Sequence, residues 1–268
     1  MSDKKLCITM LGTGHATTTF FYNTCFVLHE NEEYFMVDAG GGNQILRILK
    51  EQGISFTKIH DLFITHAHSD HILGAVWMIR MIGQLVNRKE YEGELNIYAH
   101  EQVIEGLKTI CDVVLMKKIT KLFEEKIRFV RLKDGDEHSI LGRKVTFFDI
   151  QSKKLLQYGF LMKEESLIFC GDEPLKKKLY PLAEGMDYML HEAFCLETEC
   201  EKFRPHEKHH STVTDVCRVA EDLNIKNLVL MHTEDSHEME RKKLYVEEGT
   251  RYYSGNLFVP DDGESILI

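Results

Sequence analysis

Thr65-His66-Ala67-His68-Ser69-Asp70-His71 is the stretch on which the reading of this chain turns. It sets four metal-capable side chains within six positions. The run before it, Ile59-His60-Asp61-Leu62-Phe63-Ile64, reads as a buried strand, and Ile72–Ile82 after it is apolar at helical spacing. The motif therefore fills a strand-to-helix turn, where short side chains converge on one point. Imidazole and carboxylate donors together suit zinc, manganese or iron rather than calcium. A histidine-rich surface turn is the alternative, and the buried strand directly before the motif argues against it.

The motif His-x-His-x-Asp-His resembles the signature of the metallo-β-lactamase-fold hydrolases. Leu11-Gly12-Thr13-Gly14, Val37-Asp38-Ala39-Gly40-Gly41-Gly42, Gly171-Asp172, His191-Glu192-Ala193, His210-Ser211-Thr212 and Leu230-Met231-His232 occur in the order expected of the ribonuclease Z branch. Together they span nearly the whole chain. The resemblance implies an α/β protein, a four-layer αββα sandwich over residues 1–268 as a single domain, with the metal at one edge between the two sheets.

The apolar pattern agrees with two β-rich halves that each carry helices. Strands are expected at Leu6–Leu11, Cys25–His29, Tyr34–Val37, Leu95–Tyr98, Ile127–Leu132, Lys144–Ile150, Gln157–Met162 and Ser166–Cys170. Helices are expected around Asn43–Gln52 and within Glu101–Phe123. After Asp172 a helix near Leu175–Ala183, a strand at Tyr188–His191, a helix at Thr212–Leu223, a strand at Asn227–Met231 and a helix near Glu238–Gly249 follow, before closing strands at Gly255–Pro260 and Ile266–Ile268.

A length of 268 residues suffices for a large core. No stretch is apolar long enough to cross a bilayer, and Met1-Ser2-Asp3-Lys4-Lys5 leads into a strand with no signal-peptide apolar region. The seven cysteines are scattered, with no Cys-x-x-Cys pair, which favours reduced thiols and a cytoplasmic location. The net charge of −10 argues against a general nucleic-acid binder, whose affinity rests on neutralising phosphates. Lys117-Lys118, Lys153-Lys154 and Lys176-Lys177-Lys178 read as solvated faces.

By resemblance the centre is a two-metal hydrolytic site, whose ions stand roughly 3.5–4 Å apart. His66 and His68 would serve the first ion, Asp70 and His71 the second. Asp172, after the apolar run Leu167–Gly171, would bridge them, and His232, after Leu228–Met231, would complete the second. Zn2+, as one or two ions, is the implied cofactor, with Mn2+ or Fe as alternatives. The family's third histidine on the first ion is missing. After Val145–Ile150 the chain reads Gln151-Ser152-Lys153-Lys154, leaving Gln151, Lys153, Asp149 or water for that position and a weaker first site. Asp38 would support the centre by orienting a ligand, or would simply be a turn aspartate. His15, after Leu-Gly-Thr-Gly, is placed to overhang it.

Phosphodiester hydrolysis also needs a proton for the leaving oxygen, and a histidine suits that task near neutral pH. His210 resembles the ribonuclease Z histidine in this role and Glu192 the carboxylate that orients it. Asp70 completes the expected catalytic group. Thr212 also reads as a helix N-cap, which is compatible with this. There are two departures from the branch. The interval Gln151–Asp172 has no room for the arm that grips transfer RNA. No Arg-Tyr pair follows His232, where the chain reads Thr233-Glu234-Asp235-Ser236-His237, with Arg241 further on. The expectation is a metal-dependent hydrolase, a ribonuclease Z-like phosphodiesterase acting on a small or single-stranded substrate. Another ester class (lactone, thioester or phosphonate) and a non-enzymatic metal-binding relic are the alternatives. Transfer RNA is a doubtful partner, no membrane partner is expected, and the resemblance admits a homodimer.

Overall fold

Successive side chains of a strand point to opposite faces, and here both faces are apolar. In β1 (Cys7–Gly12), Ile8 and Met10 enter one core while Leu11 enters another. In β2 (Cys25–Glu30), Phe26 and Leu28 separate from Cys25 and Val27 in the same way. Sheets patterned like this have to be covered on both sides. The structure, a computed structural model, describes residues 6–268. The reading of Met1–Lys5 lies outside the described residues.

The first sheet continues with β3 (Glu33–Val37), β4 (Ile59–Phe63), β5 (Leu95–Ala99) and β6 (Ile127–Arg131). The second is built from β7 (Glu137–Ile140), β8 (Arg143–Asp149), β9 (Tyr158–Met162), β10 (Leu167–Phe169), β11 (Tyr188–Glu192), β12 (Asn227–Met231) and β13 (Asn256–Phe258). β14 (Ser265–Leu267) returns to the first sheet beside β1. The strand orders are β14-β1-β2-β3-β4-β5-β6 and β13-β12-β11-β10-β9-β8-β7. Each sheet is parallel in one half, β3 to β6 and β10 to β13, and antiparallel in the other.

The inner faces meet in a core that includes Met10, Phe35, Phe63, Phe147, Phe160 and Met231. The outer face of the first sheet is covered by α1 (Gln44–Glu51), α2 (Ser69–Asn87) and α3 (Glu101–Val114), through side chains such as Ile45, Ile79 and Leu107. A one-turn α4 (Lys117–Thr120) adds Ile119 to that layer. On the second sheet, α5 (Tyr180–Ala183), α7 (Val213–Asp222) and α8 (Arg241–Gly249) contribute Ala183, Val216 and Tyr245, and a short α6 (Cys200–Phe203) lies between α5 and α7 in sequence. This is the four-layer αββα sandwich. Among the described residues no helix is long and apolar enough to cross a membrane.

Two elements differ from expectation, the helix over Leu175–Ala183 and the strand β7. The helix expected over Leu175–Ala183 is a 3-10 turn, Lys177–Leu179, followed by the single turn α5, because Pro181 sits at its start and cannot donate to a preceding turn. The helices expected within Glu101–Phe123 are α3 and α4, separated where Leu115 and Met116 turn extended. β7 was not expected, since its residues Glu-His-Ser-Ile carry almost no apolar alternation.

The C-terminal ends of the parallel strands form one rim. Asp38 follows β3, the histidine motif follows β4, Asp172 follows β10, Glu192 ends β11 and His232 follows β12. Gly74 lets α2 dock there: a Cβ at this position would collide with the Ala39 carbonyl.

Candidate metal centre

Asp38 is the post around which the motif is organised. It is buried, and its backbone is left-handed at φ 55°. Its Oδ1 accepts from Thr65 N at 2.9 Å, and its Oδ2 accepts from Thr65 Oγ1 at 2.8 Å and from His71 Nδ1 at 2.7 Å. A carboxylate can only accept, so His71 carries its proton on Nδ1 and turns Nε2 toward the centre. Asp38 thus both makes the turn after β3 and orients His71. His66 is held from behind, its Nδ1 lying 2.9 Å from both Thr65 Oγ1 and Gln157 Nε2. Its Nε2 faces His68 Nδ1 at 2.7 Å.

The other strands bring the remaining donors. Gly171, at φ 81°, turns the chain so that Asp172 points inward. Asp172 Oδ2 lies 3.6 Å from Nε2 of both His66 and His71, and Oδ1 lies 2.8 Å from His232 Nε2. Asp70 Oδ2 lies 3.3 Å from His71 Nε2. Ligands about 2.1 Å from one ion at tetrahedral angles stand about 3.4 Å apart, close to the 3.3–3.6 Å that separate His71 from Asp70 and Asp172, and His66 from Asp172, whereas the His66–His68 and Asp172–His232 pairs are tighter. His71 Nε2 is buried and has no hydrogen-bond partner. Ligand atoms converge within 4.8 Å in the groups His66–His71–Asp172, Asp70–His71–His232 and Asp172–His210–His232. The donor set fits a divalent cation.

The electrostatics are those of a site built for positive charge. Burial, reinforced by neighbouring His71, holds His66 well below the usual imidazole range, so it stands neutral as a ligand must. Burial acts against charge on Asp172, but His232, His210 and His71 together outweigh it and keep the carboxyl well below its usual range. Asp70 is likewise lowered, burial being overcome by His71. His71 itself is raised: burial opposes its charge, and the carboxylates of Asp38 and Asp70 prevail.

Beside the cluster, His210 lies between two rings, Phe194 with centroids 5.2 Å apart and His232 at 5.3 Å. Its Nδ1 lies 3.5 Å from Oε2 of Glu192, which is wholly buried and accepts from Ser211 N at 2.7 Å through Oε1. Burial lowers the pKa of His210, but Glu192 reverses the effect and the net shift is upward. Thr212 caps α7 in a reciprocal capping box with Asp215. His206 is drawn off to Asp215 at 2.7 Å. His15 overhangs the cleft beside Phe194 and is pushed down to about 4, mainly by burial and then by His232.

The cleft above the cluster has a volume of about 410 Å³. Two of its cationic lining residues, Lys154 and Lys208, were not singled out as site residues from the sequence, nor was Phe194. At the position of the missing histidine, Asp149 Oδ1 is turned to Gln151 N at 2.6 Å and joins none of the ligand groups. Lys154, one residue beyond the expected span, lines the cleft with His68 and Asp172.

Comparison with known proteins sets this geometry in a family. The profile described as "Anti-Pycsar protein Apyc1" matches residues 6–255. The chain belongs to this family. Its similarity also extends to a Ribonuclease Z of Parabacteroides distasonis, 23% identical over an alignment that covers 84% of this chain and 88% of that protein. Among solved structures, the metallo-β-lactamase-fold protein YhfI from Bacillus subtilis superposes with a TM-score of 0.77 at 15% identity, covering 98% of this chain and 100% of its own. A diphosphatase from the PhnP family gives 0.75 at 17% identity, covering 98% of this chain and 97% of its own. The chain is thus a ribonuclease Z-like, metal-dependent hydrolase of metallo-β-lactamase fold.

Proposed function

We propose that this member of the family is a phosphodiesterase acting on a small substrate. His66, His68, Asp70, His71, Asp172 and His232 would hold Zn2+, or Mn2+ or Fe in its place, as one or two ions. The observation that carries this reading is the pairing of a buried donor cluster with His210, which is backed by Glu192 and lies beside Asp172 and His232. Ligand cluster and proton donor thus share one cleft. The names of the relatives, a Ribonuclease Z and a diphosphatase, point the same way.

When bound, the metal lowers the pKa of a water molecule and polarises the phosphoryl group. The chain's own residues do the rest. Asp38 holds His71 in the tautomer that presents Nε2. Lys154 and Lys208 place positive charge around the incoming anion, in a protein whose net charge would otherwise repel it. Phe194 and His232 fix the plane of the His210 ring, and Glu192 favours its protonated form, so the proton stands ready for the leaving oxygen. The cleft volume of about 410 Å³ suits a small ester better than a folded RNA.

The test is hydrolysis of bis-p-nitrophenyl phosphate beside a panel of lactone and thioester substrates, before and after chelation. Zn2+-restored turnover of the phosphodiester supports the reading. Turnover confined to a lactone or thioester would replace it with the other ester class, and metal binding without turnover of any substrate would leave a metal-binding relic.

A further inference from the structure

The loop after His232 carries a second group of ligand-type side chains. Glu234 and His237 lie on it, and Glu199 reaches it from the 3-10 turn Glu197–Glu199. One ligand atom of each lies within 4.8 Å of the other two, and the group shares no residue with the centre described above. His237 Nε2 stands 3.0 Å from Glu199 Oε2. Glu234 is only 3% exposed. Its Oε2 accepts from Ser236 N at 2.8 Å, whereas its Oε1 is buried with no hydrogen-bond partner. Burying a carboxylate oxygen without a partner is costly, more so beside a second carboxylate. Lys202, 3.4 Å from Glu199 Oε1, is a largely exposed side chain and offsets that only weakly.

We propose that Glu199, Glu234 and His237 form a separate divalent-cation site of the Zn2+ or Mn2+ class. One imidazole and two carboxylates are a donor set for such ions. The ion would satisfy Glu234 and tie the 197–199 turn to the loop that carries His232. Asp235, between the ligands, already anchors this loop on its other side, accepting from Thr19 N at 2.5 Å and Phe20 N at 2.9 Å. The site is therefore structural: it would brace a wall of the catalytic cleft.

The experiment counts Zn2+ per chain by plasma mass spectrometry after equilibrium dialysis, in the intact protein, His237→Ala and Glu199→Gln. Melting curves are taken with Zn2+ and with chelator. Each variant is expected to bind one Zn2+ fewer, to keep turnover of bis-p-nitrophenyl phosphate, and to lose part of the Zn2+-dependent rise in Tm. The chelated forms are expected to melt together. Asp172→Ala, aimed at the other centre, is expected to keep this ion, so failure of the hydrolase reading and failure of this site register separately. An unchanged Zn2+ count in both variants overturns the proposal, as does a crystal of the Zn2+-loaded protein with no anomalous peak between the three side chains.

Discussion

Asp38→Asn tests how the centre is held together. Asparagine keeps the volume of aspartate and tolerates the left-handed φ of 55°, so the backbone is not disturbed. What changes is that one of two accepting oxygens becomes a donor. If the amide oxygen takes the Oδ2 position, its NH2 faces the Thr65 N–H that now donates over 2.9 Å. A buried N–H then loses its acceptor at a cost of about 1–3 kcal/mol. If the oxygen takes the Oδ1 position, the NH2 faces His71 Nδ1, now bonded at 2.7 Å. The imidazole must then move its proton to Nε2, the atom that faces the centre. Either arrangement weakens metal binding, and loss of a ligand-orienting carboxylate typically lowers affinity about 10–100-fold. That factor corresponds to about 1.4–2.8 kcal/mol. The assay is competition for Zn2+ against a chelating dye, with the melting curve of the chelated protein as the check on folding. A folded Asp38→Asn that binds Zn2+ as tightly as the unmodified chain would refute the reasoning.

Other perturbations probe the cleft and its frame. His210→Ala is expected to cut turnover of a phosphodiester with a poor leaving group by about 10²–10⁴-fold while sparing a nitrophenyl ester and the metal content; loss of metal instead would make His210 a ligand. Lys154→His is expected to raise the affinity for a further Zn2+ in the main centre, measured in the His237→Ala background, while Lys153→His leaves it unchanged; the reverse ranking would show that the loop runs differently. Gly74→Ala is expected to destabilise the protein by about 1–3 kcal/mol, through the collision with the Ala39 carbonyl, seen as a lower urea midpoint; an unchanged midpoint would mean that α2 is not docked as described. Precursor transfer RNA is expected to go essentially uncleaved at physiological salt, and efficient 3′ processing would contradict the small-substrate reading.

The residues that announced the fold are those whose position along a strand decides their role. His66 to His71, Asp172 and His232 each follow a run of buried apolar residues, so their place at a strand end follows from period-two patterning and a turn. Asp38 fits the same rule. Lys154 does not. It sits in an irregular loop beside Lys153, and nothing in a pair of lysines says which one turns into a cleft and which faces water. Phe194 and Lys208 are similar, because their approach to His210 depends on loop packing between β11 and α7. The missing histidine after Ile150 was plain from the sequence, but what lines the cleft in its place emerged only with the path of the chain. The broken helix before Ala183 reflects Pro181 overriding an apolar spacing that otherwise suits a helix. The cluster of Glu199, Glu234 and His237 brings Glu199 to a pair of residues 35 and 38 positions further along the chain, and no local pattern links the two stretches.

The central claim is that the buried cluster of His66, Asp70, His71, Asp172 and His232, with the half-buried His68 beside it, binds the metal on which phosphodiester hydrolysis depends. Its most direct test is to strip the protein with a chelator, confirm the metal content, and follow bis-p-nitrophenyl phosphate hydrolysis as Zn2+ or Mn2+ is returned, in parallel with Asp172→Ala. The account predicts no turnover in the stripped protein, recovery that tracks occupancy of the main centre, and no recovery in Asp172→Ala at any metal concentration. Undiminished turnover in the metal-free protein, or full recovery in Asp172→Ala, would contradict it.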